Sequence, residues 1–280
     1  RQTQRNLVVQ ADRYAQALSL TPSDCVCLTA SISFDGSLMD LFGGLLNGAT
    51  VCPVDLRSMD FGTFRALVEQ RDITTLHMTP SVFRTLARGM NGECFHWVRV
   101  LDLGGEAVRA EDVALFERCF SPAAKLMITF GASEHSFAIG YEVPRALHEV
   151  TQEIPIGWPL GDTDVVLLSE DGAPDAVEGE LALVSAYGAL EYWRRPELTA
   201  RAFRVDAERP ERRMYRTGDV VRRRSDGAYL FLRRVDQQLK IRGHRVEPNE
   251  IEAQLQSHPA IAEAAVHATH GPDGNAILTA

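Results

Sequence analysis

Between residues 24 and 129, short apolar runs alternate with segments of helical periodicity, and this alternation constrains the fold more than any other feature of the sequence. The apolar runs that predict β-strands are CVCLTASIS, ATVCPV, ITTLHM, VRVLDL and KLMIT. The intervening segments that predict helices are SLMDLFGGLLNG, FGTFRALVEQR, TPSVFRTLARGM and RAEDVALFERCF. Strands that alternate with helices of about 10 to 12 residues are typical of βαβ units. We therefore predict a parallel sheet.

Polar or glycine-rich segments follow the predicted strands. They read FDGS, HMTPS, LGGEA and FGASEH. The third helix has its own start signal, with Thr79 at the N-cap and Pro80 at the first helical position. In parallel sheets, ligands bind beyond the carboxyl ends of the strands. We therefore expect the four segments to face one crevice.

The pattern changes after residue 153. TDVVLLSEDG, GELALVS and GAYLFLRRVD read as short strands with glycine turns, followed by a helix in PNEIEAQLQSHP. We predict an α/β fold in which a parallel βαβ sheet layer precedes a small β-rich subdomain and the start of a small α+β C-terminal domain. The predicted boundaries are 1–150, 151–235 and 236–280. Because the chain lacks an initiator methionine and its last piece is short, we expect a fragment of a longer protein.

Charge and hydropathy exclude several classes of partner. A net charge of -9 argues against a nucleic-acid backbone as the main partner. No apolar run approaches the roughly 18 residues that a membrane span needs, and the polar N-terminus lacks a signal-peptide core. The five cysteines have neither metal-binding nor redox spacing, so we expect buried thiols in a reducing cytoplasm.

The segment ITFGASEHSFAIG, residues 128–140, supports two interpretations. Gly131 and Ser133 match most of a hydrolase nucleophile elbow, with an acid and a histidine alongside. Alternatively, the hydroxyl of Ser133 and the carboxylate of Glu134 meet phosphate and magnesium, a cation that prefers oxygen ligands. The elbow needs a glycine where His135 stands, and a base adjacent in sequence is poorly placed for the serine hydroxyl. Both observations argue against the elbow, but these residues alone do not establish a phosphate or magnesium site, and we give His135 no role.

Two further segments carry charged groups with more than one interpretation. In MYRTGDVV, Asp219 is predicted in a glycine turn at the end of a strand. An ionised carboxylate only accepts hydrogen bonds, so it suits the two hydroxyls of ribose; a purely structural turn aspartate is the alternative. The basic segment RRVDQQLKIRG is either a solvated edge strand or a cationic loop beside a polyanion.

Taken in order, six segments resemble adenylate-forming enzymes, and within them the adenylation domains of nonribosomal peptide synthetases. The segments are SISFDGSLMDLFGGLLNGAT, FGASE, PIGWPL, GELALVSAYGALEYWRRPELTARAF, YRTGDVV and RRVDQQLKIRGHRVEPNEIE. The resemblance extends from about Arg5 to the C-terminus. It implies ATP or AMP and magnesium as cofactors, and roles for particular residues.

The implied nucleotide site uses residues from several segments. Ser133 would contact phosphate, and Glu134 would bind magnesium. The other implied nucleotide contacts are Phe130 stacked on adenine, Gly104, Gly105 and Glu106 beside adenine, Tyr215 near the nucleotide, and Asp219 and Arg234 on the ribose. The small C-terminal domain would rotate about Asp236. That rotation would bring Lys240 and the rest of residues 240–243 to the active site for thioester formation.

The implied substrate is an α-amino acid. Asp35 would pair with the substrate ammonium, since a buried carboxylate without a partner is unfavourable by several kcal/mol. The other implied pocket residues are Gly36, Met39, His77, Asp102, Gly104, Thr129, Phe137 and Ala138. We expect His77 and Asp102 to hydrogen-bond a polar substrate side chain or each other. In the alternative, Asp102 faces away from the pocket.

The implied reaction joins the amino acid to ATP and releases pyrophosphate. Positioning and cations supply most of the rate enhancement in such phosphoryl chemistry. The aminoacyl-adenylate would then pass to the phosphopantetheine thiol of a carrier (thiolation) domain, with other synthetase domains as neighbours. We expect no nucleic-acid or membrane partner.

The sequence also departs from the family pattern. The glycine-rich phosphate loop and the catalytic lysine of the family are absent from the sequence, so we expect this chain alone to be weakly active or inactive. Phe130 and Ala132 replace the usual tyrosine and proline of the loop. An acyl-CoA ligase of the same superfamily and a non-catalytic binding fragment are the alternatives.

Overall fold

The computed structural model describes residues 1–89, 95–174, 176–206, 209–236, 238–241, 244–258, 260–270 and 276–280. The chain divides into two compact units, Arg1–Arg233 and Arg234–Ala280. The domain boundaries predicted near residues 150 and 235 stay predictions. Among the described residues, no helix combines the length and the apolar character needed to cross a membrane.

The first half of unit 1 alternates helices and strands, as predicted. Its helical segments are α1 (Gln4–Ala17), α2 (Asp35–Leu38), a π-helix (Met39–Gly43), α3 (Gly44–Leu46), a 3-10 helix (Leu56–Ser58), α4 (Phe61–Gln70), α5 (Pro80–Arg88), α6 (Ala110–Cys119) and α7 (Leu147–Val150). Its strands are β1 (Cys25–Leu28), β2 (Thr50–Pro53), β3 (Thr75–Met78), β4 (Val100–Gly104), β5 (Lys125–Ala132), β6 (His135–Glu142) and β7 (Trp158–Pro159). Helix α5 begins as expected, because the Thr79 side chain accepts a hydrogen bond from the Val82 amide and Pro80 follows the cap.

These strands form one seven-stranded sheet in the order β2-β1-β3-β4-β5-β6-β7. The pairs among β1 to β5 are parallel, which confirms the predicted parallel layer. The pairs β5–β6 and β6–β7 are antiparallel. The prediction of a loop over FGASEH is therefore wrong in detail, since β5 continues to Ala132 and β6 begins at His135. A hairpin turn of Ser133 and Glu134 remains between them, which a short antiparallel connection permits.

The predicted helix SLMDLFGGLLNG is broken into three parts by the π-helix Met39–Gly43. Single-turn π segments are rare and occur often at functional sites. Helix α1 packs here closely, because a Cβ added to Gly43 would lie 2.2 Å from Cδ1 of Tyr14. The sequence predicted a continuous helix because the spacing of apolar residues does not reveal a single turn with one extra residue.

The second half of unit 1 is rich in β-structure, as predicted. Its elements are β8 (Asp164–Leu168), β9 (Glu178–Ser185), α8 (Pro196–Ala202), β10 (Phe203–Val205), β11 (Arg213–Arg223) and β12 (Tyr229–Arg234). The strands β10-β11-β9-β8 form an antiparallel sheet, and β12 pairs with β11.

Asp219 lies inside β11 and not in a turn at a strand end, which corrects the prediction. The β9–β11 register shifts between Arg216 and Val220, so the Thr-Gly-Asp segment forms a bulge within the strand. Gly218 has φ +75° there, a conformation that favours glycine. Bulges redirect side chains and are frequent next to active sites.

Three hydrophobic clusters stabilise unit 1. One joins the parallel sheet to α4, α5 and α6 through residues such as Phe64, Phe83 and Leu101. A second connects β6 to the antiparallel sheet and includes Phe130 and Tyr215. The third surrounds the side chain of Tyr14 in α1. Each buried large side chain contributes about 1.5–3 kcal/mol relative to an exposed one.

The cysteines agree with the expectation of reduced thiols in the part of the chain that the structure describes. Cys25, Cys27 and Cys119 are buried, Cys52 is half-buried, and all four are free. Burial raises the pKa of the Cys25 and Cys27 thiols. Cys94 lies outside the described residues.

Unit 2 contains the short strands and the helix expected of a partial α+β domain. Its elements are β13 (Leu239–Ile241), β14 (His244–Val246), α9 (Pro248–Gln256), β15 (His267–His270) and β16 (Ala276–Thr279). The pairs β13–β14 and β15–β16 are antiparallel. The apolar segment AIAEAAVHA, residues 260–268, ends within β15.

Candidate active site

Parallel strands β3, β4 and β5 bring the predicted pocket residues side by side near their carboxyl ends. His77 pairs in register with Asp102, and Gly104 pairs with Thr129. The Thr129 hydroxyl donates to the Asp102 carboxylate, with its oxygen 2.9 Å from Oδ1 and 3.0 Å from Oδ2. Asp102 is fully buried, so its carboxylate lies inside the protein between His77 and Thr129.

A buried aspartate that the sequence did not single out organises this region. Oδ1 of Asp40, in the π-helix, accepts a hydrogen bond from the Tyr14 hydroxyl at 2.7 Å and lies 2.9 Å from Nδ1 of His77. Asp40 is fully buried. The only signal for it in the sequence is one acid in the apolar stretch LMDLF, which does not reveal its partners.

The carboxylates change the charge of His77. Burial lowers the pKa of His77, but the charge and hydrogen bond of Asp40, with the charges of Asp102 and Asp35, outweigh it and raise that pKa to about 9. Burial also raises the pKa of Asp102 to about 6, although His77 and the Thr129 hydrogen bond act in the opposite direction. His77 is therefore an imidazolium at neutral pH.

The direct hydrogen bond between His77 and Asp102 was one of two predicted roles, and the structure does not form it. Nε2 of His77 lies 3.8 Å from Oδ2 of Asp102, beyond hydrogen-bonding distance. The stronger partner of His77 is Asp40 on the other nitrogen. A role toward a substrate side chain stays a prediction.

Asp35 is the first residue of α2, and a residue of β6, the second strand of the hairpin, holds its side chain. The Ser136 hydroxyl donates a hydrogen bond to Oδ2 of Asp35 at 3.0 Å. Ser136 is itself buried, and sequence analysis assigned it no role. The next residue, Gly36, faces His77, since a Cβ added there would lie 3.2 Å from Cε1 of the imidazole. Asp35 is also close enough to His77 for its charge to contribute to the raised pKa of the imidazole.

Aromatic rings surround the other side of His77. The ring of Phe137 contacts Tyr14 edge-on, with centroids 4.8 Å apart, and its centroid lies 5.9 Å from that of His77. Phe137 has φ +50°, a left-handed conformation that is unusual for a bulky residue. Backbone strain of this kind is concentrated at functional sites. Met39 and Ala138 are also buried beside these elements.

The hairpin turn between β5 and β6 presents Ser133 and hides Glu134. Ser133 is exposed, while its backbone carbonyl accepts a hydrogen bond from Nε2 of Gln2 at 2.8 Å. Glu134 is buried, with the Tyr192 hydroxyl donating to its Oε1. Tyr192 was not predicted to contribute to the site. Its position became apparent only from the fold, because it lies 58 residues from Glu134 in sequence.

His135 has structural partners instead of a catalytic one. Its Nε2 lies 3.0 Å from the Thr163 hydroxyl and 3.3 Å from Nη1 of Arg13. Burial, together with the Arg13 charge, lowers the pKa of His135 to about 3. In the described chain no hydrogen bond joins it to the Ser133 hydroxyl, so the nucleophile-elbow interpretation has no base.

The predicted adenosine-side residues differ in their exposure. Phe130 and Tyr215 are largely buried, and both belong to the second hydrophobic cluster. Glu106 accepts hydrogen bonds from the Ser81 amide and hydroxyl at 3.0 and 2.9 Å, so it joins the β4 loop to the start of α5. Gly105 there has φ +78°. Asp219 is buried beside the bulge.

In unit 2, the predicted ribose contact and the predicted hinge residue form an ion pair. Nε and Nη2 of Arg234 each lie 2.6 Å from one carboxylate oxygen of Asp236. The Lys240 side chain lies outside the described residues, as do Arg242 and Gly243. The contribution of this loop stays a prediction.

The mixed sheet, the polar residues at its carboxyl edge and the attached antiparallel sheet agree with the sequence resemblance to adenylate-forming enzymes. The sequence pattern of the AMP-binding enzyme family matches residues 2–193, and the chain belongs to this family.

Relatives of the chain are synthases much longer than the chain itself. It is 34% identical over 267 residues to surfactin synthase subunit 1 of Bacillus subtilis, covering 94% of this chain and 7% of the relative. It is 33% identical over 257 residues to tyrocidine synthase 1 of Brevibacillus parabrevis, covering 90% of this chain and 23% of the relative. The chain thus spans a small part of the relatives that it matches.

Solved structures share the fold. Holo-PA1221, an NRPS protein containing adenylation and PCP domains bound to a vinylsulfonamide inhibitor, is 28% identical with a TM-score of 0.82. That match covers 92% of this chain and 45% of the solved one. The adenylation domain AlmE of Vibrio cholerae, in complex with glycyl-adenosine-5'-phosphate, is 23% identical with a TM-score of 0.86, over 98% of this chain and 52% of the other.

Proposed function

We propose that this chain is the substrate- and adenosine-binding part of an adenylation domain that activates an α-amino acid with ATP. The observation that carries the proposal is the position of Asp35. Its carboxylate is held by the Ser136 hydroxyl at 3.0 Å, next to the space bordered by His77. A fixed carboxylate in such a position is the natural partner of an α-ammonium group. A fatty or aryl acid offers no cation for it.

The reacting carboxylate of the amino acid would attack the α-phosphate of ATP, with release of pyrophosphate. The exposed hydroxyl of Ser133 would donate to a phosphate oxygen. On the adenosine side, Asp219 would accept hydrogen bonds from the ribose hydroxyls, since a carboxylate is acceptor-only. The Gly104–Gly105 backbone would approach adenine closely, because glycine has no Cβ. Phe130, Glu106, Tyr215 and Arg234 complete the proposed nucleotide contacts.

The oxygen ligands that the turn at Glu134 offers fit magnesium. The turn supplies a carboxylate oxygen and a hydroxyl, both hard oxygen ligands. Among the described residues there is no group of three or more histidine, cysteine, aspartate or glutamate side chains that could hold a metal. Such a full protein cage is not needed, since magnesium usually keeps waters and substrate phosphate oxygens. When bound, the ion would neutralise phosphate charge, and Glu134 would hold it in place.

The aminoacyl-adenylate would pass to the phosphopantetheine thiol of a carrier domain. Support comes from a much longer relative, a surfactin synthase subunit, and from a similar structure that contains adenylation and PCP domains. Unit 2 would rotate about Asp236 and bring Lys240 toward the reaction. Rotation of one body about a few hinge residues is a known mode of switching. Neighbouring synthetase domains and a cytoplasmic location belong to the same proposal.

Amino-acid-dependent exchange of pyrophosphate into ATP tests the proposal in the intact protein that carries this sequence. We expect exchange with α-amino acids and none with the matching acids that lack the amine. Asp35→Ala should lower kcat/KM for the amino acid about a hundredfold or more, because the buried ammonium loses its partner. Asp12→Ala, at an exposed position on α1, is the matched control. Equal exchange with des-amino acids would identify an acyl ligase instead.

A further inference from the structure

The Cε1–Nε2 edge of the His77 imidazole fills the space between two glycines. A Cβ added to Gly36 would lie 3.2 Å from Cε1, and one added to Gly104 would lie 3.6 Å from Nε2. Gly36 adjoins Asp35, the proposed partner of the substrate ammonium. The ring edge therefore lies next to the residue that would hold the substrate ammonium.

One nitrogen of His77 is within hydrogen-bonding distance of a carboxylate, and the other is not. Nδ1 lies 2.9 Å from Oδ1 of Asp40. Nε2 makes no hydrogen bond with the described residues; the carboxylate of Asp102 is 3.8 Å away. The side chain of His77 is 14% exposed, whereas those of Asp40 and Asp102 are fully buried. Nε2 is thus the polar atom that this cluster leaves for a ligand.

The groups that face His77 decide whether Nε2 carries a proton. They are Asp40 in the π-helix, Asp102 on β4, Asp35 on α2, and the aromatic rings of Tyr14 and Phe137. The three carboxylates raise the pKa of His77 to about 9 against the effect of burial. At neutral pH, both nitrogens are donors.

We propose that the activated amino acid carries an uncharged oxygen acceptor, a hydroxyl or an amide, in its side chain, and that this oxygen accepts a hydrogen bond from Nε2 of His77. The inference rests on the proposed function, because it places the α-ammonium on Asp35. Asp40 is then a positioning residue, since it holds the ring and keeps it protonated without touching the substrate.

Other side chains fit this surface less well. A cationic side chain would place its positive charge against the Nε2–H donor. An anionic side chain would add negative charge beside the carboxylates of Asp40 and Asp102, which already outweigh the single imidazolium charge. A purely apolar side chain would bury Nε2–H without an acceptor, which is unfavourable by about 1–3 kcal/mol.

The test compares isosteric amino acids in pyrophosphate exchange with the intact protein. Suitable pairs are threonine with valine, serine with 2-aminobutyrate, and asparagine with leucine. For the pair whose side chains have the right length for the site, we expect kcat/KM to be at least about tenfold higher for the oxygen-bearing member. Sites built to hydrogen-bond a substrate group reject analogues that lack it. Preference for valine, 2-aminobutyrate, leucine, lysine or glutamate would overturn the inference.

Two variants separate recognition from packing. His77→Leu should remove the preference within the pair, and His77→Gln, which retains an N–H donor, should restore part of it. An unchanged ratio in His77→Leu would overturn the inference. Independently of activity, ¹⁵N-histidine NMR of the intact protein should show His77 losing its proton near pH 9, and at lower pH in Asp40→Asn. A neutral His77 at pH 7 would contradict the donor role.

Failure of the inference and failure of the proposed function give different results. Exchange that is driven by apolar, acidic or basic amino acids leaves the adenylation proposal intact. It refutes only the inference that the substrate side chain carries an uncharged oxygen acceptor. Absence of exchange with every amino acid, in a protein that is folded by circular dichroism, refutes the adenylation proposal on which the acceptor rests.

Discussion

Nη1 of Arg13 lies 3.3 Å from Nε2 of His135, and this contact joins α1 to the hairpin that carries the proposed phosphate and magnesium residues. Nη2 of the same guanidinium pairs with Asp162 and lies 3.2 Å from the Ser185 hydroxyl. Arg13 is almost fully buried. One buried cation therefore holds together α1, the start of β6 and the segment before β8.

We predict that Arg13→Met lowers the free energy of unfolding by about 3 kcal/mol. Removing one partner of a buried ion pair leaves the others with unpaired polar groups, which is strongly unfavourable. Asp162 is 36% exposed and regains some hydration, so the effect should fall at the lower end of the range for buried pairs. Urea denaturation of the purified protein measures it.

Arg57→Met is the control for this substitution. Its guanidinium is 90% exposed and pairs with Asp55 on the surface. Exposed pairs contribute little, so we expect the urea midpoint to stay close to that of the unchanged protein. Equal destabilisation by both substitutions would show that Arg13 has no special structural role.

A second prediction concerns His135 in acid. Burial and the Arg13 charge lower its pKa from 6.5 to about 3 in the folded protein. The unfolded chain therefore binds this proton first, so the stability due to neutral His135 is present above pH 6.5 and is lost as pH falls toward 3. The folding equilibrium constant should decrease at least about tenfold across this window.

His135→Gln isolates the effect, because it removes the titration while keeping a polar side chain. Asp102 has a pKa raised from 3.8 to about 6, so its contribution increases in acid and partly opposes that of His135. Only the difference between the two proteins is informative. Parallel stability curves from pH 7 to pH 4 would contradict a neutral, buried His135.

Much of the fold follows from local sequence signals, whereas the arrangement of the site does not. The alternation of apolar runs and helical segments predicted β1 to β5, and Thr79 and Pro80 predicted the start of α5. Asp40 escaped prediction because its partners, Tyr14 and His77, are 26 and 37 residues away. The π-helix that presents it differs from an α-helix by one residue per turn, which apolar spacing does not report.

The hairpin at Ser133 is a second feature that local sequence could not predict in full. Its sequence indicated a loop after a strand, and the chain there does turn. Whether the next strand returns antiparallel depends on pairing with Ile139 and Gly140, which lie across the turn from Phe130 and Thr129. Similarly, the Thr-Gly-Asp segment is a common turn signal, but long-range pairing of β11 with β9 made it a bulge.

A third prediction concerns alkaline pH and the pair Asp40–His77. The folded protein raises the pKa of His77 from 6.5 to about 9, so the resulting stability is fully present below pH 6.5 and is lost as pH rises toward 9. Asp40→Asn should reduce this alkaline loss, because the nearest negative charge is removed. Stability measured by urea denaturation at pH 6 and pH 9 in both proteins tests this. A loss of equal size in the two would exclude Asp40 as the cause.

The last prediction concerns Tyr192, whose hydroxyl donates a hydrogen bond to Oε1 of Glu134. Groups that orient a metal-binding carboxylate typically change metal affinity 10–100-fold when they are removed. We expect Tyr192→Phe to raise the magnesium concentration required for half-maximal pyrophosphate exchange about tenfold. It should also reduce the rise in Tm on addition of magnesium and ATP. Tyr187→Phe removes a hydroxyl that contacts Arg5 in an exposed pair, and it should change neither quantity. Wild-type magnesium dependence in Tyr192→Phe would show that the hydrogen bond only joins the β5–β6 turn to the segment between β9 and α8 and does not orient Glu134 toward the metal.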